Sequence, residues 1–141
     1  MDVGEVRKKV LRAISEAREG SKQRRQLTAD AERAYEAFLQ DVATPLVQQV
    51  ASALKAEKYA FTVFTPTGGL RLASDRGRDD FIEFGLDTSE PQPQVVGRIR
   101  RTRGSRTLDT TLPLKPGVSP DQLTEDDVLR FLLEALGPWL E

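Results

Sequence analysis

The spacing of apolar residues changes once along this chain, and that change limits the fold more than any other sequence feature. Through residue 57, apolar residues recur every three or four positions, which is typical of helices. From Lys58 the period is two: the aromatic and β-branched residues Tyr59, Phe61 and Val63 alternate with residues 60, 62 and 64. Helical segments followed by consecutive strands predict an α+β domain with an antiparallel sheet.

The helical part, residues 1–57, contains two patterns. The first is a narrow stripe of small aliphatic residues: Val3, Val6, Val10, Ala13, Ile14 and Ala17. Gly20 and Ser21 predict a break after it, because glycine costs about 1 kcal/mol in a helix interior. Basic residues cover much of the remaining surface of this helix, and we expect them to be solvated.

The second pattern predicts a long helix that begins near Thr28 or Asp30 and continues to Leu54. Pro45 falls inside it. Because proline removes one hydrogen bond and clashes with the preceding turn, we expect either a kink near 41–44 or two helices in sequence. The sequence does not distinguish between these two alternatives.

Turn signals divide residues 58–112 into five short segments. Pro66–Gly69 predicts one hairpin turn, and Gly104–Ser105 predicts another with glycine in the first central position. The segments are 59–64, 70–73, 81–86, 95–102 and 106–112. Because no helical pattern separates them, they predict a five-stranded antiparallel meander.

A proline-rich linker, residues 113–123, leads to a final helix in 124–141. Thr124 and Asp127 have the spacing of a capping box, and acidic residues follow the cap. Gly137 and Pro138 are expected to end or distort this helix. The wide apolar face of the helix predicts packing on one face of the sheet. The whole chain is therefore interpreted as a single domain, 1–141.

Composition narrows the range of functions. With 141 residues, no His and no Cys, the chain lacks a Ser–His or Cys–His pair and the usual zinc ligands. Asp79, Asp80 and Glu83 match no cation-binding loop. We therefore expect no catalytic residues, no cofactor and no metal, and no enzymatic activity. No segment is apolar enough to span a membrane, so the predicted location is the cytoplasm.

The most distinctive local feature is a run of arginines at the tip of the last predicted hairpin. The run is Arg98, Arg100, Arg101, Arg103 and Arg106, with no acid among them. Such a surface can bind an acidic protein or an anionic ligand, since arginine pairs with carboxylates and phosphates in a bidentate manner. Nucleic-acid backbone is the alternative, although no stacking aromatic residue interrupts the run and the net charge is −1.

The apolar stripes of the helices exceed what one face of a five-stranded sheet can cover, which predicts a homodimer formed through the helices. The sequence thus predicts a non-enzymatic interaction or anion-binding module that acts as a homodimer. An enzyme that uses carboxylates without His or Cys is the weaker alternative. Charge is also segregated: residues 1–106 hold 19 basic and 15 acidic residues (+4), and 107–141 hold 2 and 7 (−5).

Overall fold

The computed structural model describes residues 1–77 and 79–141, and it has an α+β fold. A long N-terminal helical arm leads into a five-stranded antiparallel sheet, and a helix closes the chain. The helices are α1 (Val3–Phe38), α2 (Thr44–Ala56) and α3 (Glu125–Leu140). The strands are β1 (Phe61–Phe64), β2 (Leu70–Ser74), β3 (Phe81–Asp87), β4 (Gln94–Arg103) and β5 (Arg106–Pro113).

Helix α1 passes through Gly20 without a break, so the predicted interruption at Gly20–Ser21 is wrong. The residues around it are mostly strong helix formers, and together they outweigh the roughly 1 kcal/mol cost of one glycine. At about 1.5 Å per residue, the 36 residues of α1 span about 54 Å. Nearly all side chains from Val3 to Leu27 are exposed. We call residues 3–27 the stem.

The boundary between the two N-terminal helices lies at Leu39–Ala43, which forms a short π-helical segment. Pro45 follows it in the first turn of α2. The wider π turn accommodates a residue that cannot donate a backbone hydrogen bond. Of the two alternatives, a kink near 41–44 or two helices in sequence, the structure has the kink, and Ala43 at the end of the π segment is fully buried.

The sheet has the order β1-β2-β3-β4-β5, with every neighbouring pair antiparallel. The meander predicted from the turn signals is thus confirmed. All three helices contribute to the core on one face of this sheet. On that face, Phe84 meets the Phe131 ring of α3 edge-on, with the ring centroids 6.0 Å apart. Val128, Leu132 and Leu136 of the same helix are fully buried.

Helix α3 begins with the predicted capping box. The Thr124 hydroxyl accepts from the Asp127 amide at 3.2 Å, and the Asp127 carboxylate accepts from the Thr124 amide at 3.0 Å. At the other end the helix runs through Pro138 to Leu140, so of the two outcomes expected at Gly137–Pro138, an end or a distortion, the end is wrong. Pro138 lies in the last turn, where Trp139 packs edge-on against Phe61. Pro138 cannot donate to the Glu134 carbonyl, so the helix loses one hydrogen bond near its end.

Among the described residues, no helix combines the length and the apolar character needed to cross a lipid bilayer.

Gly97 on β4 supplies the space that the Phe131 ring occupies. A Cβ at this position would lie 2.3 Å from Cζ of Phe131, closer than any real contact. We expect Gly97→Ala to lower the free energy of unfolding by about 1–3 kcal/mol, the usual cost of an overpacked core. Gly85→Ala on β3 is the matched control, because a Cβ there would meet no atom within 4 Å. Urea unfolding that shows equal stability for both variants would contradict this account.

Candidate functional site

Strands β4 and β5 extend beyond the rest of the sheet. Pairing of β3 with β4 ends at Phe81–Arg100, whereas pairing of β4 with β5 continues to Arg103–Arg106. Gly104 and Ser105 form the turn, and Gly104 has a φ of 63°. A positive φ at the first central position fits a type II′ turn, which needs glycine there. The arginines predicted to form a contact surface therefore lie on a projecting hairpin.

The five arginines divide between the two faces of this hairpin, because side chains alternate along a strand. Arg98 and Arg100 lie on the outer face of the sheet, opposite the face that carries Phe84 and the core. Arg101, Arg103 and Arg106 lie on the opposite face, the face that carries the helices farther along the sheet. The predicted surface is thus two surfaces of different character.

On the outer face, arginines cover an aromatic ring. Phe81 is buried although it lies on the face away from the main core. The Arg71 guanidinium lies 4.1 Å from the centre of the ring, and that of Arg98 lies 5.5 Å from it. Both contacts have cation–π geometry. Arg71 also donates to Glu83 at 3.1 Å, which fixes its position over the ring.

Arg98 is already paired. Its Nε and Nη2 donate to the two carboxylate oxygens of Asp109 at 3.0 and 2.6 Å. These hydrogen bonds lower the pKa of Asp109, with smaller contributions from the charges of Arg98 and Arg100. The same hydrogen bonds raise the pKa of Arg98. The charge of Arg98 is therefore largely neutralised within the hairpin.

The arginines on the opposite face have no carboxylate partner of this kind among the described residues. Arg101, Arg103 and Arg106 form no ion pair with any residue within 1–77 or 79–141. Arg103 and Arg106 are exposed and lie directly opposite each other in the strand register. Leu108, which pairs with Arg101, is 51 % exposed on the same face. We call Arg101, Arg103, Arg106 and Leu108 the tip face.

A buried carboxylate holds the base of this hairpin. Asp80 Oδ1 accepts from the Thr102 amide at 2.8 Å, just beyond the last residue pair of β3 and β4. A Cβ at Gly77 would lie only 2.5 Å from Oδ2 of Asp80, so the loop needs glycine there. Asp80 thus extends the contact between the strands where backbone pairing has ended.

Two of the three carboxylates considered as metal ligands, Asp80 and Glu83, have other roles. Asp80 binds the Thr102 amide, and Glu83 pairs with Arg71. Within the part of the chain that is described, no group of three or more His, Cys, Asp or Glu residues could hold a metal ion.

A separate groove of about 640 Å³ lies between the end of α1 and the β1–β2 turn. The Tyr35 hydroxyl donates to the Gly68 carbonyl at its edge, at 2.9 Å. Burial raises the pKa of Tyr35 to about 12, and the negative charge of Glu83 adds to this effect. Tyr35 therefore keeps its proton at neutral pH and acts as a link between α1 and the turn.

Comparisons with protein-family models, with curated proteins and with solved structures find no match to this chain. A functional proposal for this chain therefore rests on the geometry of the hairpin.

Replacing Arg98 with Gln removes the bidentate hydrogen bonds to Asp109. We expect the pKa of Asp109 to rise toward the ordinary value of about 3.9. An NMR titration of the side-chain carboxyl carbon measures this directly. Asp87 is the internal control, because hydrogen bonds from Ser89 lower its pKa and the variant leaves them in place. An unchanged pKa at Asp109 would show that Arg98 is not its partner in solution.

The sign of the linked stability effect follows from the same shift. The folded-state pKa of Asp109 lies below its value in the unfolded chain. The contribution of the pair is therefore present above about pH 3.9 and is lost as the pH falls through the lower, folded-state pKa.

Replacing Asp80 with Ala removes the acceptor for the Thr102 amide. We expect this amide to exchange with solvent at least about tenfold faster, since it loses a charge-assisted hydrogen bond. Hydrogen exchange followed by NMR checks this expectation. Asp79→Asn is the control, because Asp79 has a φ of 63° and asparagine tolerates that conformation. Equal protection of the Thr102 amide in both variants would argue against the role of Asp80.

Proposed function

We propose that this protein is a non-enzymatic interaction module that binds an acidic segment of a partner protein through the tip face. The observation that carries the proposal is the convergence of Arg101, Arg103 and Arg106 on one face, without an acidic partner among the described residues. The absence of His and Cys from the sequence supports a non-enzymatic role, and the absence of Cys fits a cytoplasmic location.

Electrostatics favours an anionic ligand at this position. Like charges directly opposite each other in a sheet are unfavourable, so the pairing of Arg103 with Arg106 costs stability in the free protein. A carboxylate that lies between the two guanidinium groups would remove that repulsion. Arginine binds carboxylates with two parallel hydrogen bonds, which adds geometric selectivity.

The surroundings of the arginines indicate a protein segment as the ligand. Leu108 and Leu112, on the same face as the arginines, are each about half exposed. Strand β5 is also an edge of the sheet, and among the described residues no strand pairs with its outer backbone groups. An extended peptide could add to this edge by backbone pairing. Its acidic side chains would then face the arginines, and its apolar side chains would face the leucines.

A nucleic acid would use less of this surface. Neither strand of the hairpin carries an aromatic side chain on which a base could stack. The exposed leucines offer nothing to a phosphate backbone. We further propose that the module acts as a homodimer, because the stem leaves an apolar stripe exposed to solvent.

The test uses a fluorescein-labelled synthetic peptide in which every second residue is Glu or Val and Thr lies between them, so that Glu and Val share one face of the extended chain. Fluorescence anisotropy is the readout. We expect binding at low ionic strength that weakens as salt is added, because the arginines are exposed. Changing Arg101, Arg103 and Arg106 together to Gln should weaken binding by at least about tenfold, since each removes a charge-assisted contact. The control variant changes Arg98 and Arg100 to Gln on the other face, and binding should change little.

Two results would overturn the proposal. Equal losses in the two variants would show that binding depends on overall charge and not on the tip face. Tighter binding of duplex DNA than of the peptide, with the same dependence on the three arginines, would favour a phosphate backbone as the ligand.

A further inference from the structure

The stem carries an apolar stripe with the seven-residue repeat of a coiled coil. Its positions alternate in spacing between three and four: Val3, Val6, Val10, Ala13, Ala17 and Gly20. Ile14 widens the stripe next to Val10. The larger members are well exposed, with Val3 at 82 % and Val10 at 51 %. The stem is thus a helix whose apolar stripe faces water.

Arg24 occupies the next position of the repeat, and after it the apolar spacing resumes from Leu27 to Phe38, where α1 meets the body of the protein. Leu27, Ala31 and Ala34 line a groove shared with Pro93 and Pro120, and Phe38 is buried in the core. From Ala31 onward the repeat therefore lies against the chain itself, whereas Leu27, at the end of the stem, is 46 % exposed. The first half has the same pattern and lacks a surface to pack on.

We propose that the stem pairs with the stem of a second copy, antiparallel and centred between residues 11 and 12. This pairing places Val3 opposite Gly20 of the second copy, Val6 opposite Ala17, and Val10 opposite Ala13. Every layer then combines one valine with one smaller residue. Uniform layers allow two straight helices to keep one separation along the whole seam.

Charge complementarity selects the same arrangement. Lys9 and Glu16 hold equivalent positions in the repeat, immediately before Val10 and Ala17. In the antiparallel pair, Lys9 of each copy flanks Glu16 of the other, which gives two ion pairs by symmetry. A parallel pair would instead separate Lys9 from Glu16 and stack valine on valine and glycine on glycine. The observed pattern therefore favours the antiparallel seam.

This seam deepens the homodimer in the proposed function, and it uses no residue of the tip face. A variant that is monomeric through the stem should therefore still bind the acidic peptide. The dimer proposal and the peptide-binding proposal can therefore fail independently of each other.

The first experiment is sedimentation equilibrium on the full chain. We expect a dimer that Val10→Asp converts to a monomer, because the change places a charge in the seam. Lys9→Glu should raise the dimer dissociation constant by about threefold to tenfold, since two attractive pairs become repulsive. Lys8→Glu is the matched control: it makes the same charge change at a position that points away from the seam.

The reversed pair, Lys9→Glu with Glu16→Lys, tests the register. In the antiparallel seam it restores both ion pairs, so the dissociation constant should return toward that of the unchanged protein. The chain has no cysteine of its own, so Val3→Cys provides a single labelling site. Spin labels there should be about 26 Å apart along the axis, which corresponds to 17 residues of helix.

A chain that stays monomeric at high concentration would overturn the proposal. So would spin labels at residue 3 in direct proximity, because that result defines a parallel pair. A reversed charge pair that fails to restore association would exclude the proposed register. Circular dichroism and peptide binding of the Val10→Asp protein show whether the rest of the fold is intact.

Discussion

The fold depends on the contact between the Phe131 ring and the bare backbone of β4 at Gly97. Because this position carries no side chain, α3 lies close to the sheet, and Val128, Leu132 and Leu136 become fully buried. The edge-on contact with Phe84 fixes the ring over the centre of the sheet. The core is therefore concentrated on one side, and the other side of the sheet has to meet water.

That asymmetry explains the chemistry of the outer face. Phe81 is the large apolar side chain that is buried there away from the main core, and guanidinium groups cover it instead of a helix. An arginine used in this way needs a carboxylate to hold it, which Glu83 and Asp109 provide. The face that an arginine of this hairpin occupies thus determines how available its guanidinium group is to an external ligand.

The sequence predicts the main architecture because periodicity and turn chemistry are local properties. The change of period near Lys58, the capping box at Thr124 and the kink before Pro45 each depend on a few neighbouring residues. Helix α1 continues through Gly20, where the sequence predicts a break, and α3 continues through Pro138, where an end is one of the two predicted outcomes. In both cases the helix-forming neighbours outweigh the cost of one unfavourable residue.

The contacts of the hairpin are harder to predict from the sequence, because they join residues that are far apart in it. The bond from the Thr102 amide to Asp80 spans 22 residues and depends on the shape of the loop before β3. Strict alternation already places Arg98 and Arg100 on one face and Arg101 and Arg103 on the other. The sequence does not reveal that Asp109 neutralises Arg98, since that pairing requires the register of β4 with β5.

The continuity of α1 makes the stem a spacer of fixed length. From Val3 to Leu27 it measures about 36 Å. In the antiparallel dimer, the points where the two stems enter their bodies would lie about 46 Å apart along the axis, held by a rod and not by a flexible tether. A partner with two acidic segments would then be selected by their separation as well as by their charge, so the helix would serve as a molecular ruler.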